Sequence, residues 1–267
     1  MVGIYDIIYR VILMENFFKY YTEIEQMTNP LKTFSFQHLM LLVITFVFIG
    51  ILYKKYSSIS EEKQRTFMKW FAVYYFLEEA IYYTWIVFHC HCSDLWLQLL
   101  PLELCTLCVY MNIASVFTKS KTIRFFSMVT GMIAGSIAMI YPANITEIYP
   151  VFSYRTINFY MLHGSFVLFS LLQLKDQSLL QKYYLKRSYF IICGMFTVAF
   201  IVNVMLDTQY MFVGIPPEIG IIASVYQITG VMFFLPVVYV VLFLFQGLTY
   251  LVLKKVSLRK EVRCDSL

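Results

Sequence analysis

Apolar blocks of about 20 residues, separated by short polar stretches, run from residue 34 almost to the C-terminus. A helix rises about 1.5 Å per residue, so each block matches the roughly 30 Å hydrocarbon core of a bilayer. The pattern predicts spans at 34–53, 67–88, 96–118, 123–142, 155–174, 188–206 and 221–252. The last is longer than a bilayer requires and contains Pro236, which predicts a kink or an extension beyond the membrane. Ahead of the spans, Ile4, Ile7, Ile8, Val11, Ile12 and Phe18 recur at helical spacing, with Asp6, Arg10 and Lys19 elsewhere on the wheel. This predicts an interfacial helix over 4–20, broken by Asn29-Pro30. The expected fold is all-α, a polytopic membrane helical bundle of about seven transmembrane helices with an N-terminal interfacial helix. It divides into an interfacial helix and linker (1–33), a transmembrane domain (34–252) and a basic tail (253–267).

Charge adds an orientation. Lys54, Lys55 and Lys63 follow the first predicted span, Lys119 and Lys121 the third, Lys175 and Lys182 the fifth, and Lys254, Lys255 and Arg259 the last. The alternate loops at 89–95, 143–154 and 207–220 contain no Lys or Arg. The positive-inside rule then places the N-terminus outside and the C-terminus in the cytoplasm of a multi-pass cell-membrane protein. The composition, 60% hydrophobic and 14% charged, excludes an ordinary soluble domain. The net charge of +5 belongs to the cytoplasmic loops and tail and does not indicate nucleic-acid binding; the expected partners are membrane lipids. Asp6, Arg10 and Glu15 interrupt any cleavable signal-peptide pattern.

Ionisable groups inside apolar spans are costly and mark candidate functional sites. Reckoned from the outer ends, Glu103 and Cys105 lie roughly 10–13 Å deep, His163 roughly 12 Å, and Glu78 and Glu79 roughly 14–15 Å. Asn203, Asp207 and Gln227 come from the outer ends of the sixth and seventh spans. Nearly all the intramembrane polar groups therefore fall in the outer half, which predicts a cavity open to that side and lined by these side chains. The competing reading is that they only tie helices together through hydrogen bonds. Cys108 shares a helical face with Cys105 and reads as packing; Glu103 points away from both. His89-Cys90-His91-Cys92 offers four soft ligands, but adjacent residues cannot readily chelate one ion. No metal site and no cofactor are read from the chain.

Four stretches carry a resemblance: Leu100-Pro101-Leu102-Glu103-Leu104-Cys105, the small-residue span from Gly131 to Pro142, His163-Gly164, and Asn203 followed by Tyr210-Met211-Phe212. Their order and spacing resemble the YwaF-type integral membrane proteins of bacteria. These look related to the transmembrane-protein-164 acyltransferases and, more distantly, to the androgen-induced membrane lipid hydrolases. The resemblance implies a bacterial inner-membrane protein with a Cys and a His as working pair, at Cys105 and His163 here. The chain departs from the bacterial pattern at Glu103, where that pattern carries a His.

The expectation that follows is an acyltransferase or lipid hydrolase acting on phospholipid acyl chains from the outer leaflet. Cys105 would be the nucleophile, His163 the base, and Glu103 an orienting or proton-handling group. Asn203 and Tyr210 would position the head group, with Asp207, Gln227 and Glu78 lining the site. The rival is a non-enzymatic transporter or lipid-binding protein with Glu78, Glu103 and Asp207 as coupling groups. Transporters commonly show internal repeats, and none is visible here.

Overall fold

Most of the apolar blocks fold as helices, and serines at their edges show why they start there. The computed structural model describes residues 16–24, 29–218 and 220–264. Its longer helices are α1 (Phe36–Ser57), α2 (Glu61–His89), α3 (Leu104–Phe117), α4 (Lys121–Ile140), α5 (Tyr154–Gln173), α6 (Lys182–Leu206) and α7 (Gly220–Cys264). The hydroxyls of Ser35, Ser120 and Ser153 accept the first free backbone N–H groups of α1, α4 and α5. Asp207 closes α6 in a left-handed conformation, φ 51°, which Asp tolerates better than most residues.

Helices α4 and α5 form the centre. Helix α1 packs on α5, α3 lies between α2 and α4, and α6 and α7 cover the other side of α4. Gly135 allows α4 and α5 to touch backbone to side: a Cβ there would come within 2.5 Å of the His163 carbonyl oxygen. Among the described residues, four helices, α1, α4, α6 and α7, are long and apolar enough to cross a membrane. Only 11% of the apolar window of α1 and 6% of that of α7 is buried, against 50% for α4. Apolar surface left bare on that scale belongs in a bilayer, where helices satisfy their own backbone groups.

The other predicted spans behave differently. Helices α2 and α5 fall short of that apolar standard and carry the charged and amide side chains described below. The third predicted span, 96–118, is not continuous. A single helical turn at Leu95–Gln98 is followed by irregular chain, and α3 begins only at Leu104. Pro101 lacks the N–H that a helix needs and pushes Leu100 out of helical geometry. At 14 residues α3 is about 21 Å long, short of a bilayer. Glu103 and Cys105 therefore sit at a helix start rather than seven to nine residues inside a helix. In α7 the break falls at Gly230, φ 66°, and not at Pro236. Glycine reaches that conformation without strain, so the chain bends there.

Residues 1–15 of the expected interfacial helix lie outside the described residues. Its described end, 16–20, is a turn rather than helix. The backbone there is used in tertiary bonds: the Phe17 carbonyl accepts from Tyr154 N at 2.8 Å, and the Phe18 carbonyl from Trp85 Nε1 at 2.6 Å. Farther on, Leu31 N donates to the Tyr149 carbonyl and Val151 N to the Asn29 carbonyl, both at 3.1 Å. The segment is a strap across the ends of α2 and α5; this end of the bundle is called the strap end below.

Candidate functional site

Under the strap, α2, α3 and α5 enclose a group of buried polar side chains. Glu78 and Glu79 are 7% and 6% exposed, so both are desolvated although adjacent residues diverge around a helix. Glu78 faces α5, where its Oε1 accepts from Asn158 Nδ2 at 2.7 Å. Glu79 faces Tyr83 on its own helix and Thr106 on α3. One oxygen of each, Glu78 Oε2 and Glu79 Oε1, is buried without a hydrogen-bond partner. Arg155 joins the group from the first turn of α5. Its Nη1 donates to Asn158 Oδ1 at 3.4 Å, and its guanidinium lies 4.8 Å from the Tyr82 ring and 5.9 Å from the Phe159 ring.

Cys105, in the first turn of α3, has Glu103, Arg155 and Glu79 within electrostatic reach. Glu103 is the residue before α3 but does not cap it; its Oε2 accepts from Met211 N at 3.4 Å, so it ties α3 to the loop after α6. His163 lies two turns along α5 from Arg155 and is 5% exposed. Its Nδ1 is 2.8 Å from the Phe159 carbonyl oxygen. A carbonyl only accepts, so the proton is assigned to Nδ1 and the lone pair to Nε2. The ring packs against Phe159, 4.1 Å between centroids and tilted by 38°. Among the described residues no hydrogen bond joins His163 to Cys105; Arg155 is the charged neighbour they share.

The remaining candidates are placed elsewhere. Asn203 Oδ1 accepts from Tyr210 N at 2.9 Å and from Thr208 Oγ1 at 2.8 Å, while its Nδ2 donates to the Tyr210 carbonyl at 2.9 Å. The Tyr210 hydroxyl donates to the Leu97 carbonyl. These side chains fasten the loop after α6 to the turn before α3, and most of their hydrogen-bonding capacity is taken there. Asp207 and Gln227 are exposed and are not brought to the Arg155 group. His38, at the start of α1, is fully buried; Nδ1 accepts from Phe34 N at 2.8 Å and Nε2 donates to the Met139 carbonyl at 2.9 Å. In the loop after α2, Cys90 and Cys92 are joined as a disulfide, and His89 and His91 both approach the Glu23 carboxylate of the strap.

Two features escaped the sequence reading. The hydropathy pattern makes Arg155 only the edge of a span, although a basic residue next to a loop bare of Lys and Arg is a usable signal. An uncharged polar layer also lies toward the opposite end: Ser127 Oγ donates to Asn112 Oδ1, and Gln173 Nε2 donates to Ser127 Oγ at 2.9 Å. Polar side chains are thus not confined to the strap end.

A family model, described as the TMEM164 family, matches residues 33–251. The chain belongs to the TMEM164 family. No curated protein and no solved structure shows significant similarity to it. The TMEM164 match spans α1 through most of α7 and includes the strap-end group, Cys105, His163 and the loop after α6. Membership and the apolar helices together make this a multi-pass membrane protein.

Proposed function

We propose that this TMEM164 family member is a membrane acyltransferase or lipid hydrolase, with Cys105 as nucleophile and His163 as base. The observation that carries the reading is the gathering of a thiol, an arginine, three carboxylates and a correctly tautomeric histidine in one desolvated region. In the first step His163 Nε2 takes the Cys105 proton and the sulfur attacks the ester carbonyl of a lipid. Collapse breaks the ester C–O bond, leaving an acyl thioester; the departing lipid alkoxide takes the proton back from His163. A second alcohol, or water, then attacks the thioester and restores the thiol. Arg155 is the cation available to the oxyanion that forms in each half. Phe159 and Phe166 hold the His163 ring, and the step requires Cys105 and His163 Nε2 to come within hydrogen-bond reach, directly or through one water.

The loop charges support an N-terminus outside and a C-terminus in the cytoplasm. The unpartnered oxygens of Glu78 and Glu79 favour a second reading, a non-enzymatic carrier of protons or cations. The deciding experiment incubates purified protein with an acyl-labelled phospholipid and measures hydroxylamine-sensitive label on the chain. Wild type gains label, Cys105→Ala gains none, and His163→Ala gains it more slowly. Equal lipid turnover in folded Cys105→Ala and wild type would refute Cys105 as nucleophile; no label and no turnover with wild type would refute the enzymatic reading and leave the carrier.

A further inference from the structure

The run His89-Cys90-His91-Cys92 takes no part in the chemistry under the strap. Cys90 ends α2, its N–H donating to the Ile86 carbonyl at 2.7 Å, and is 4% exposed. Cys92 lies two residues on in irregular chain and is partly exposed. The disulfide between them closes a ring that holds one residue, His91. A cross-link stabilises a fold by the loop it removes from the unfolded chain, and the gain grows with loop length. A link across a single residue joins no distant segments, so it is a poor staple. What it does fix is the backbone on either side of His91.

His91 is where the strap is held. Its Nε2 lies 2.9 Å from Glu23 Oε1, and His89 Nδ1 lies 3.6 Å from Glu23 Oε2. The same Oε2 accepts from Tyr20 N at 2.9 Å, so this carboxylate also closes the strap turn Tyr21–Glu23. The two imidazoles are aimed by different means. His89 is part of α2 and is positioned by the helix. His91 has a side chain 76% exposed, so packing does little to direct it, and the ring around it does. Opening the ring frees the torsions of His91 and leaves Glu23 with the longer contact to His89. The loops at this end are bare of Lys and Arg, which favours the outer side, where disulfides form and persist.

We propose that Cys90–Cys92 is a thiol-exchange site for an external dithiol, and that its redox state sets how firmly His91 and Glu23 hold the strap. A thiolate of the dithiol attacks the sulfur of Cys92, the more exposed of the pair. The Cys90–Cys92 bond breaks, and Cys90 leaves as a thiolate and takes a proton. The second thiol of the reductant, as thiolate, attacks the reductant's own sulfur in the mixed disulfide, and Cys92 is released and protonated. Two electrons and two protons pass to the chain, and the dithiol becomes a disulfide. The site stands whichever chemistry Cys105 performs, and its test uses no lipid turnover.

The full-length protein in nanodiscs is equilibrated in buffers of reduced and oxidised dithiothreitol. Alkylation and peptide mass spectrometry then count thiols at Cys90 and Cys92, and hydrogen–deuterium exchange follows the strap. The amides of Tyr20, Glu23 and Ile24 are bonded within the turn and report its release. Protein purified without reductant is expected to carry the disulfide, to open it in the reducing buffer and to re-form it in the oxidising one. Reduction is expected to speed exchange over residues 20–24 about fivefold, reversibly. It is expected to leave the start of α1, residues 36–40, unchanged. His91→Ala alters an exposed side chain and keeps both cysteines. It is expected to exchange at the reduced rate in both buffers while its thiols still cycle. The double variant Cys90→Ser, Cys92→Ser should do the same, which separates this pair from any other thiol in the chain. Free thiols in protein purified without reductant, or a disulfide that does not reopen, overturns the exchange site. Strap exchange indifferent to reduction, or a reduction effect that persists in His91→Ala, overturns the hold on the strap.

Discussion

Replacing Gly135 with alanine tests the close approach of α4 and α5 on which the position of His163 depends. The added Cβ would lie 2.5 Å from the His163 carbonyl oxygen, 3.0 Å from Val167 Cγ2 and 3.2 Å from Phe166 Cβ. The nearest of these is backbone and cannot rotate away. Lengthening 2.5 Å to an ordinary contact of 3.4 Å separates the two helices locally by about 0.9 Å, enough to weaken dispersion along the interface. Overpacking of this kind costs about 1–3 kcal/mol. Alanine also gains about 0.5–1 kcal/mol of helix propensity over glycine, which masks part of that cost. Gly194→Ala supplies the correction, because it lies inside α6 with nothing within 4 Å of its Cβ position. Gly131→Ala should fall between them, its nearest neighbour being the Ser170 hydroxyl at 3.1 Å, which is itself bonded to the Phe166 carbonyl. Unfolding of the purified full-length variants in one detergent, followed by tryptophan fluorescence, should rank Gly194→Ala above Gly131→Ala above Gly135→Ala. The difference between the first and last is the clash itself, about 1–3 kcal/mol. Equal stability of those two would refute the reasoning.

Asn203→Ala removes three hydrogen bonds that clamp the loop after α6 and should destabilise the protein by about 2–3 kcal/mol. Limited proteolysis should find new cleavage between residues 207 and 214, and an unchanged pattern would mean the clamp is dispensable. At the other end, burial opposes the charge on Asp176, but Ser178 and the Arg124 guanidinium, 2.8 Å away, outweigh it and hold the carboxyl below its ordinary value. A carboxyl lowered in the folded state contributes stability above the ordinary value of 3.8, and loses it as pH falls through the lower folded value. Because the pair is partly solvated, the contribution is about 0.2–1 kcal/mol. The melting difference between wild type and Asp176→Asn should be present at pH 7 and close below pH 3.8; a difference that grows on acidification would contradict this sign.

Part of the candidate site was legible because intramembrane charge is rare. Glu78, Glu103, Cys105 and His163 stand out in apolar blocks without any knowledge of their neighbours. Their partners did not. Asn158 meets Glu78 from another helix, and Arg155 meets both that amide and the surroundings of Cys105. Asn203 and Tyr210 differ from these. Expected to position a head group, they bond in the folded chain to the loop after α6 and to the turn before α3.

By itself the sequence determined that this is a helical membrane protein and where most of its helices run. Block length and charge exclusion are local properties, and a bilayer imposes them on each segment separately. It did not determine that 96–118 would break. Hydropathy averages over Pro101 and Glu103 and is blind to a carboxylate held by Met211 N from a distant loop. Nor did it determine that 16–20 would leave helical geometry to bond α2 and α5. Which polar groups share the space under the strap depends on helix packing alone. Such contacts join residues far apart in the chain, so no window of sequence contains them.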